Sequence, residues 1–194
     1  MVLYATRYVS PRSRPLTKDE KINRQVAYDL KIPTPAAIEV AAPLMAALLE
    51  RKPCWLIPVP SSSGGTEANM ALCRALKRLI LEARIVVGIR RVHPVESSCA
   101  RRRRGLLGLS AEQHAFKRCC GPLLRLPVLF VDNVVTTGAT LKAAHLAFGT
   151  GDGIVFADAS SYALIRSNRI GCVNQHAHRL DSRATVRLTD ANCR

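Results

Sequence analysis

The run V-L-F-V-D-N-V-V-T-T-G-A-T, from Val128 to Thr140, constrains the fold more than any other stretch of the chain. Four apolar residues, Val128 to Val131, predict a buried strand that delivers Asp132 and Asn133 to its carboxyl end. Two further valines lead into Thr136, Thr137, Gly138, Ala139 and Thr140, and an alanine-rich helical pattern runs on to Phe148. A strand, a hydroxyl-rich turn and a helix start in that order suit a phosphorylated, hydroxyl-bearing ligand.

The rest of the chain repeats this order. Cys54 to Val59 reads as a strand despite Pro58, the polar loop Pro60 to Gly65 contains Ser61, Ser62 and Ser63, and Thr66 can cap a helix with an apolar face of Met70, Leu72, Cys73, Leu76, Leu79 and Ile80. A helix is expected over Pro35 to Lys52, strands over Leu3 to Val9, Ile85 to Ile89 and Ile154 to Ala157, and a short helix from Ser110 through Lys117. Strands separated by helices predict parallel pairing, right-handed crossovers and helices on both faces. The expected fold class is therefore α/β, a parallel sheet flanked by helices. The 194 residues fit one domain. A basic N-terminal arm over about 1–25, a long excursion after Arg91 and a weakly patterned tail over about 160–194 complete the expectation.

Charge narrows the partners without choosing one. There are 29 basic against 14 acidic residues, a net charge of +15, and 22 of the 29 are arginine. Such a field attracts nucleic acid, anionic lipid or a polyphosphorylated small molecule. The 48% hydrophobic content argues against global disorder. With no membrane-length apolar run and no signal-like start, a cytoplasmic location and no membrane partner are expected. The seven cysteines are irregularly spaced and lack a CxxC pair, so reduced thiols are expected, with Cys54 and Cys73 in the core. His176 and His178 near Asp181 do not form a convincing metal pattern.

The chemistry of the 128–140 run follows from its residue types. Asp132 accepts hydrogen bonds from ligand hydroxyls, and Asn133 can accept and donate without charge. Gly138 permits close approach to the backbone, and successive N–H groups at the helix start can surround a phosphate. The run lacks the GxxxxGK[ST] and GxGxxG spacings of other phosphate loops.

The run resembles the phosphoribosyl pyrophosphate loop of type I phosphoribosyltransferases: four hydrophobic positions, two acidic ones, two hydrophobic ones and a threonine/glycine-rich loop. T-T-G-A-T, the I-P-V-P of Ile57 to Pro60 and the arginine-led region ending at Ala115-Phe116 are most similar to the competence-associated, amidotransferase-like branch. The resemblance covers roughly Cys54 to Ala159. It implies the type I phosphoribosyltransferase fold and transfer of a phosphoribosyl group to a nitrogen acceptor, with release of diphosphate. Asp132 would bind the ribose 3′-hydroxyl, Asn133 would take the 2′-hydroxyl position, Thr136 to Thr140 would wrap the 5′-phosphate, and Ser61, Ser62 and Ser63 would form the diphosphate loop. Magnesium would bind through ligand oxygens and water, with Asp132 as its indirect protein partner.

Asn133 departs from the family's acidic pair and removes a negative charge that would hold magnesium, so weakened catalysis is expected. A phosphoribosyl-pyrophosphate-binding protein with a regulatory or DNA-handling role is the rival reading. Arg101 to Arg104 form the densest charge block, and guanidinium forks suit diphosphate as well as nucleic-acid phosphates. Arg101 and Arg102 are candidate ligand contacts if the segment closes over the sheet edge; otherwise the block meets nucleic acid or solvent. A second copy of the chain is a further candidate partner, and the acceptor is not legible.

Overall fold

The computed structural model describes residues 1–9, 14–123 and 125–160, without the side chains of Cys99 and Arg102. The weakly patterned tail from residue 161 on, with His176 and His178, lies outside the described residues. The main sheet has five strands: β1 (Val2–Arg7), β2 (Trp55–Pro58), β3 (Arg84–Ile85), β6 (Val128–Val135) and β7 (Asp152–Asp158). All its pairings are parallel, in the order β1-β7-β6-β2-β3. The α/β class and mostly parallel sheet expected from the alternation are thus present.

Helices α1 (Lys18–Asp29), α2 (Pro35–Ala47) and α3 (Glu67–Leu79) cover one face and α5 (Ala139–Phe148) the other. Val26, Ala41, Met45, Leu72 and Leu76 pack with Leu56, Leu129, Val131 and Phe156 on the first face. Ile57, Val128, Phe130 and Val155 meet Leu141, Ala144 and Phe148 on the second. Phe130 and Phe156 are fully buried, and each such side chain contributes roughly 1.5–3 kcal/mol. On β7, a Cβ at Gly153 would lie 2.6 Å from Leu141 Cδ1. The first turn of α5 therefore rests against a strand position that carries no side chain.

Several elements differ from expectation. Residues 1–25 are not simply a basic arm: β1 forms the sheet edge, and α1 begins at Lys18. Helix α2 stops at Ala47, short of Lys52, as Glu50 and Arg51 take left-handed backbone angles. The expected strand Ile85 to Ile89 is two strands in two sheets, because the chain leaves the main sheet after β3 and forms β4 (Ile89–Arg91). β4 pairs antiparallel with β5 (Phe116–Arg118), which replaces the end of the expected helix from Ser110 to Lys117; a 3-10 turn at Glu112–His114 is what remains of it. The excursion between these strands contains the short helix α4 (Ser98–Arg103). Strand β6 runs four residues past Val131, because β7 continues pairing up to Val135 against Asp158. Asp132 and Asn133 therefore stand within a strand, not after it.

Candidate functional site

β2 and β6 are parallel neighbours, so the serine loop after one and the threonine loop after the other emerge at the same carboxyl edge. Side-chain alternation along β6 slips there. Leu129 and Val131 face the α1–α3 side and Phe130 faces α5, yet Val134 joins the α1–α3 side and Val135 the α5 side. Asp132 also faces α3, because its Oδ1 accepts from Asn69 Nδ2 at 3.1 Å. The slip brings the Asp132 carboxylate to Asn69 of α3. The break in alternation falls inside a strand whose register with β7 keeps the same offset on both sides of Asn133.

Asp132 is held by short-range donors in a poorly solvated place. The Asn133 N–H donates to the same Oδ1 at 2.8 Å. Desolvation pushes its carboxyl up to about 6; the Asn133 N–H, Asn69 amide, Arg91 and Lys31 pull the other way. Asn69 is itself buried and donates with the same nitrogen to the Val59 carbonyl at 2.8 Å. It therefore joins the end of β2 to Asp132 on β6. Asn133 uses its Oδ1 to accept from the Val134 N–H at 2.9 Å, which leaves its amide nitrogen as the group that can meet a ligand.

The threonine loop ends in an open helix start. Gly138 occupies the N-cap of α5 with φ 76°, and no side chain caps the helix. Thr137 Oγ1 lies 3.4 Å from the Ala139 N–H, a long contact. The first-turn N–H groups have no partners within the helix, and the helix dipole places partial positive charge there. Thr136 to Thr140 thus lead from the end of β6 into a helix start that has no N-cap side chain.

The serine loop is tied down from several sides. Its Ser61 N–H donates to the Gly65 carbonyl at 2.8 Å, Ser61 and Ser63 hydroxyls are 2.9 Å apart, and the Ser62 carbonyl accepts from the Val95 N–H at 2.9 Å. Arg91 Nε donates to the Ser61 carbonyl at 2.8 Å, its Nη1 donates to the His114 carbonyl, and its guanidinium stacks on Phe116 at 4.4 Å. A cation absent from the serine loop's own sequence is therefore supplied by β4. His114 is buried, with Nε2 3.5 Å from Thr140 Oγ1 and Nδ1 unpartnered. Burial, then Arg91, lower its pKa, which favours the neutral ring.

Arg101 does approach the threonine loop. A groove of about 490 Å³ is lined by Arg101, Leu107, Ser110, Gln113, Thr137 and Ala139. Arg101 Nε donates to the Leu107 carbonyl at 2.7 Å, and Glu96 lies 3.9 Å from its Nη1. The Arg102 side chain lies outside the described residues. Comparison with known protein families, curated proteins and solved structures returned no match.

Sequence reasoning missed Asn69, Arg91 and His114. Asn69 had a readable signal: it stands at i to Leu72, Cys73 and Leu76 on one helical face, a buried amide in an apolar stripe. Leu79, expected on that face, is exposed, and Thr66 stands at the α3 N-cap without a side-chain capping bond. Cys54 and Cys73 are buried, and desolvation pushes the Cys54 thiol up to about 11 and raises that of Cys73. No group of three His, Cys, Asp or Glu side chains is placed to hold a metal among the described residues. No helix among them is long and apolar enough to cross a membrane.

Proposed function

We propose that this chain is a phosphoribosyltransferase-like protein that binds phosphoribosyl pyrophosphate and transfers its 5-phosphoribosyl group to a nitrogen acceptor. The observation that carries the reading is the pairing of an α5 start without a side-chain cap with a desolvated carboxylate held by Asn69 on the α3 side of the same sheet edge. The threonine loop N–H groups take the 5′-phosphate, Asp132 accepts from a ribose hydroxyl, and Ser61 to Ser63 meet the diphosphate. The nitrogen lone pair forms a bond to C1′ as the C1′–oxygen bond breaks. Diphosphate leaves with the electron pair, and the acceptor nitrogen gives up its proton to solvent or to the leaving group. Arg91, fixed on the Ser61 carbonyl, and Arg101, beside Thr137, supply positive charge around the phosphate groups.

Magnesium fits a lone, partly buried carboxylate, since this ion usually keeps several waters and uses one or two carboxylates plus ligand phosphates. Asp132 would hold it through water, and the bound ion would neutralise diphosphate oxygens. The rival reading, a binding protein with little or no turnover and a regulatory or DNA-handling role, is favoured by Asn133, whose oxygen is engaged by the Val134 N–H. Titration with phosphoribosyl pyrophosphate, with and without magnesium, beside diphosphate release over a panel of bases and amines, separates the readings. Magnesium-dependent binding with turnover is expected. Binding without turnover supports the rival, and failure to bind removes both.

A further inference from the structure

We infer that Asn69 is a positioning residue that locks Asp132 in its ligand-facing orientation and joins it rigidly to the strand feeding the serine loop. One amide nitrogen donates both to Asp132 Oδ1 and to the Val59 carbonyl, 63 and 10 residues away in sequence. With the Asn133 N–H also on Oδ1, these bonds converge on one oxygen, and Oδ2 is the oxygen that remains to meet a ligand. The slip in β6 points the carboxylate toward α3, where Asn69 is the buried polar side chain that receives it. Removing the amide would leave a desolvated carboxylate with one fewer donor, and its charged form would lose support. The charged groups acting on Asp132 from other elements are Arg91 on β4 and Lys31 in the turn after α1. Both favour the carboxylate, but neither fixes its rotation as a short hydrogen bond does.

The ligand part of this inference rests on the phosphoribosyl pyrophosphate reading; the orientation part does not. The test compares Asn69→Leu and Asn69→Ala with the unaltered chain. Carboxyl ¹³C NMR follows the Asp132 titration, assigned by its loss in Asp132→Asn, and calorimetry follows phosphoribosyl pyrophosphate binding with magnesium against pH. Both variants are expected to titrate Asp132 at higher pH and to lose ligand affinity about tenfold near neutrality, as expected for a lost bond to a charged group. The affinity loss should begin at higher pH than in the unaltered chain, a displacement that mere loosening of the fold would not produce. If Asn69→Leu does not fold, Asn69→Ala, which removes the same donor without adding a charge, carries the test. An unchanged Asp132 titration in the folded variants overturns the inference. If the unaltered chain ignores phosphoribosyl pyrophosphate, the functional reading falls, while the Asp132 titration still decides the role of Asn69.

Discussion

Two pairs of helices in this molecule begin in opposite ways. Helix α1 opens with a complete capping box, in which Thr17 accepts from the Glu20 N–H and Glu20 accepts from the Thr17 N–H, and α2 opens with Thr34 accepting from Ala37. Helices α3 and α5 follow the serine and threonine loops, and neither has a side-chain cap, although Thr66 and Thr137 stand beside their starts. Capping satisfies backbone donors internally; an uncapped start leaves them for solvent or a ligand. Helices α1 and α2 are finished by their own cap residues, whereas α3 and α5, which follow the two loops at the shared sheet edge, start without an N-cap side-chain bond.

If that contrast reflects ligand binding, its largest consequence falls on Asp132. Asp132→Ala is expected to weaken phosphoribosyl pyrophosphate binding about a hundredfold, through loss of charge-assisted bonds, and Asn133→Ala far less. Calorimetry on the two variants checks this, and equal effects would break the assignment of Asp132 as the ribose carboxylate.

The second prediction concerns stability. The Asp132 pKa is raised from 3.8 in the unfolded reference to about 6 in the fold, so the native state binds more protons between those values. Stability from this group therefore falls as pH rises through that window, and the ionised carboxylate is a net cost at neutral pH. Asp132→Asn should stabilise the protein by on the order of 1–2 kcal/mol at pH 7, with the gain vanishing below about pH 4. Thermal unfolding across pH measures it, and a constant difference at all pH values would contradict the sign.

Asn133→Asp should strengthen magnesium-dependent binding, by about tenfold if the restored charge is fully used. Binding isotherms with and without the ion would show it, and an unchanged magnesium dependence would remove the missing-acid explanation. The smallest effects address the caps themselves. Thr17→Ala or Thr34→Ala should cost about 1 kcal/mol of stability with ligand affinity intact, while Thr66→Ala should stay within about 0.5 kcal/mol. Denaturant titration of the three variants would break the contrast if Thr66 proved as costly as Thr17.

The strand-loop-helix units were legible because their signals are local. The four apolar residues before Asp132, and Gly138 at a positive φ, each mark their own backbone. The Thr17–Glu20 capping box was equally local and would have revealed α1 inside the supposed arm. Other features depend on distant partners. Nothing near Val131 says that β6 continues to Val135, since that extension belongs to β7. Arg91 looked like one more arginine, and its role arises from the fold bringing β4 to the Ser61 carbonyl, 30 residues back along the chain. The two strands within Arg84–Arg91 share an apolar pattern but end in different sheets, a distinction made by pairing partners rather than composition.

Gly153 sets how closely the first turn of α5 approaches β7. Leu141 lies three residues past Gly138 and settles into the space that a side chain at position 153 would occupy. The missing methyl lets the first turn of α5 sit low on β7. Enlarging position 153 would act as a shim under the helix, lifting the threonine-loop end of α5 away from the sheet while leaving the serine loop where it is.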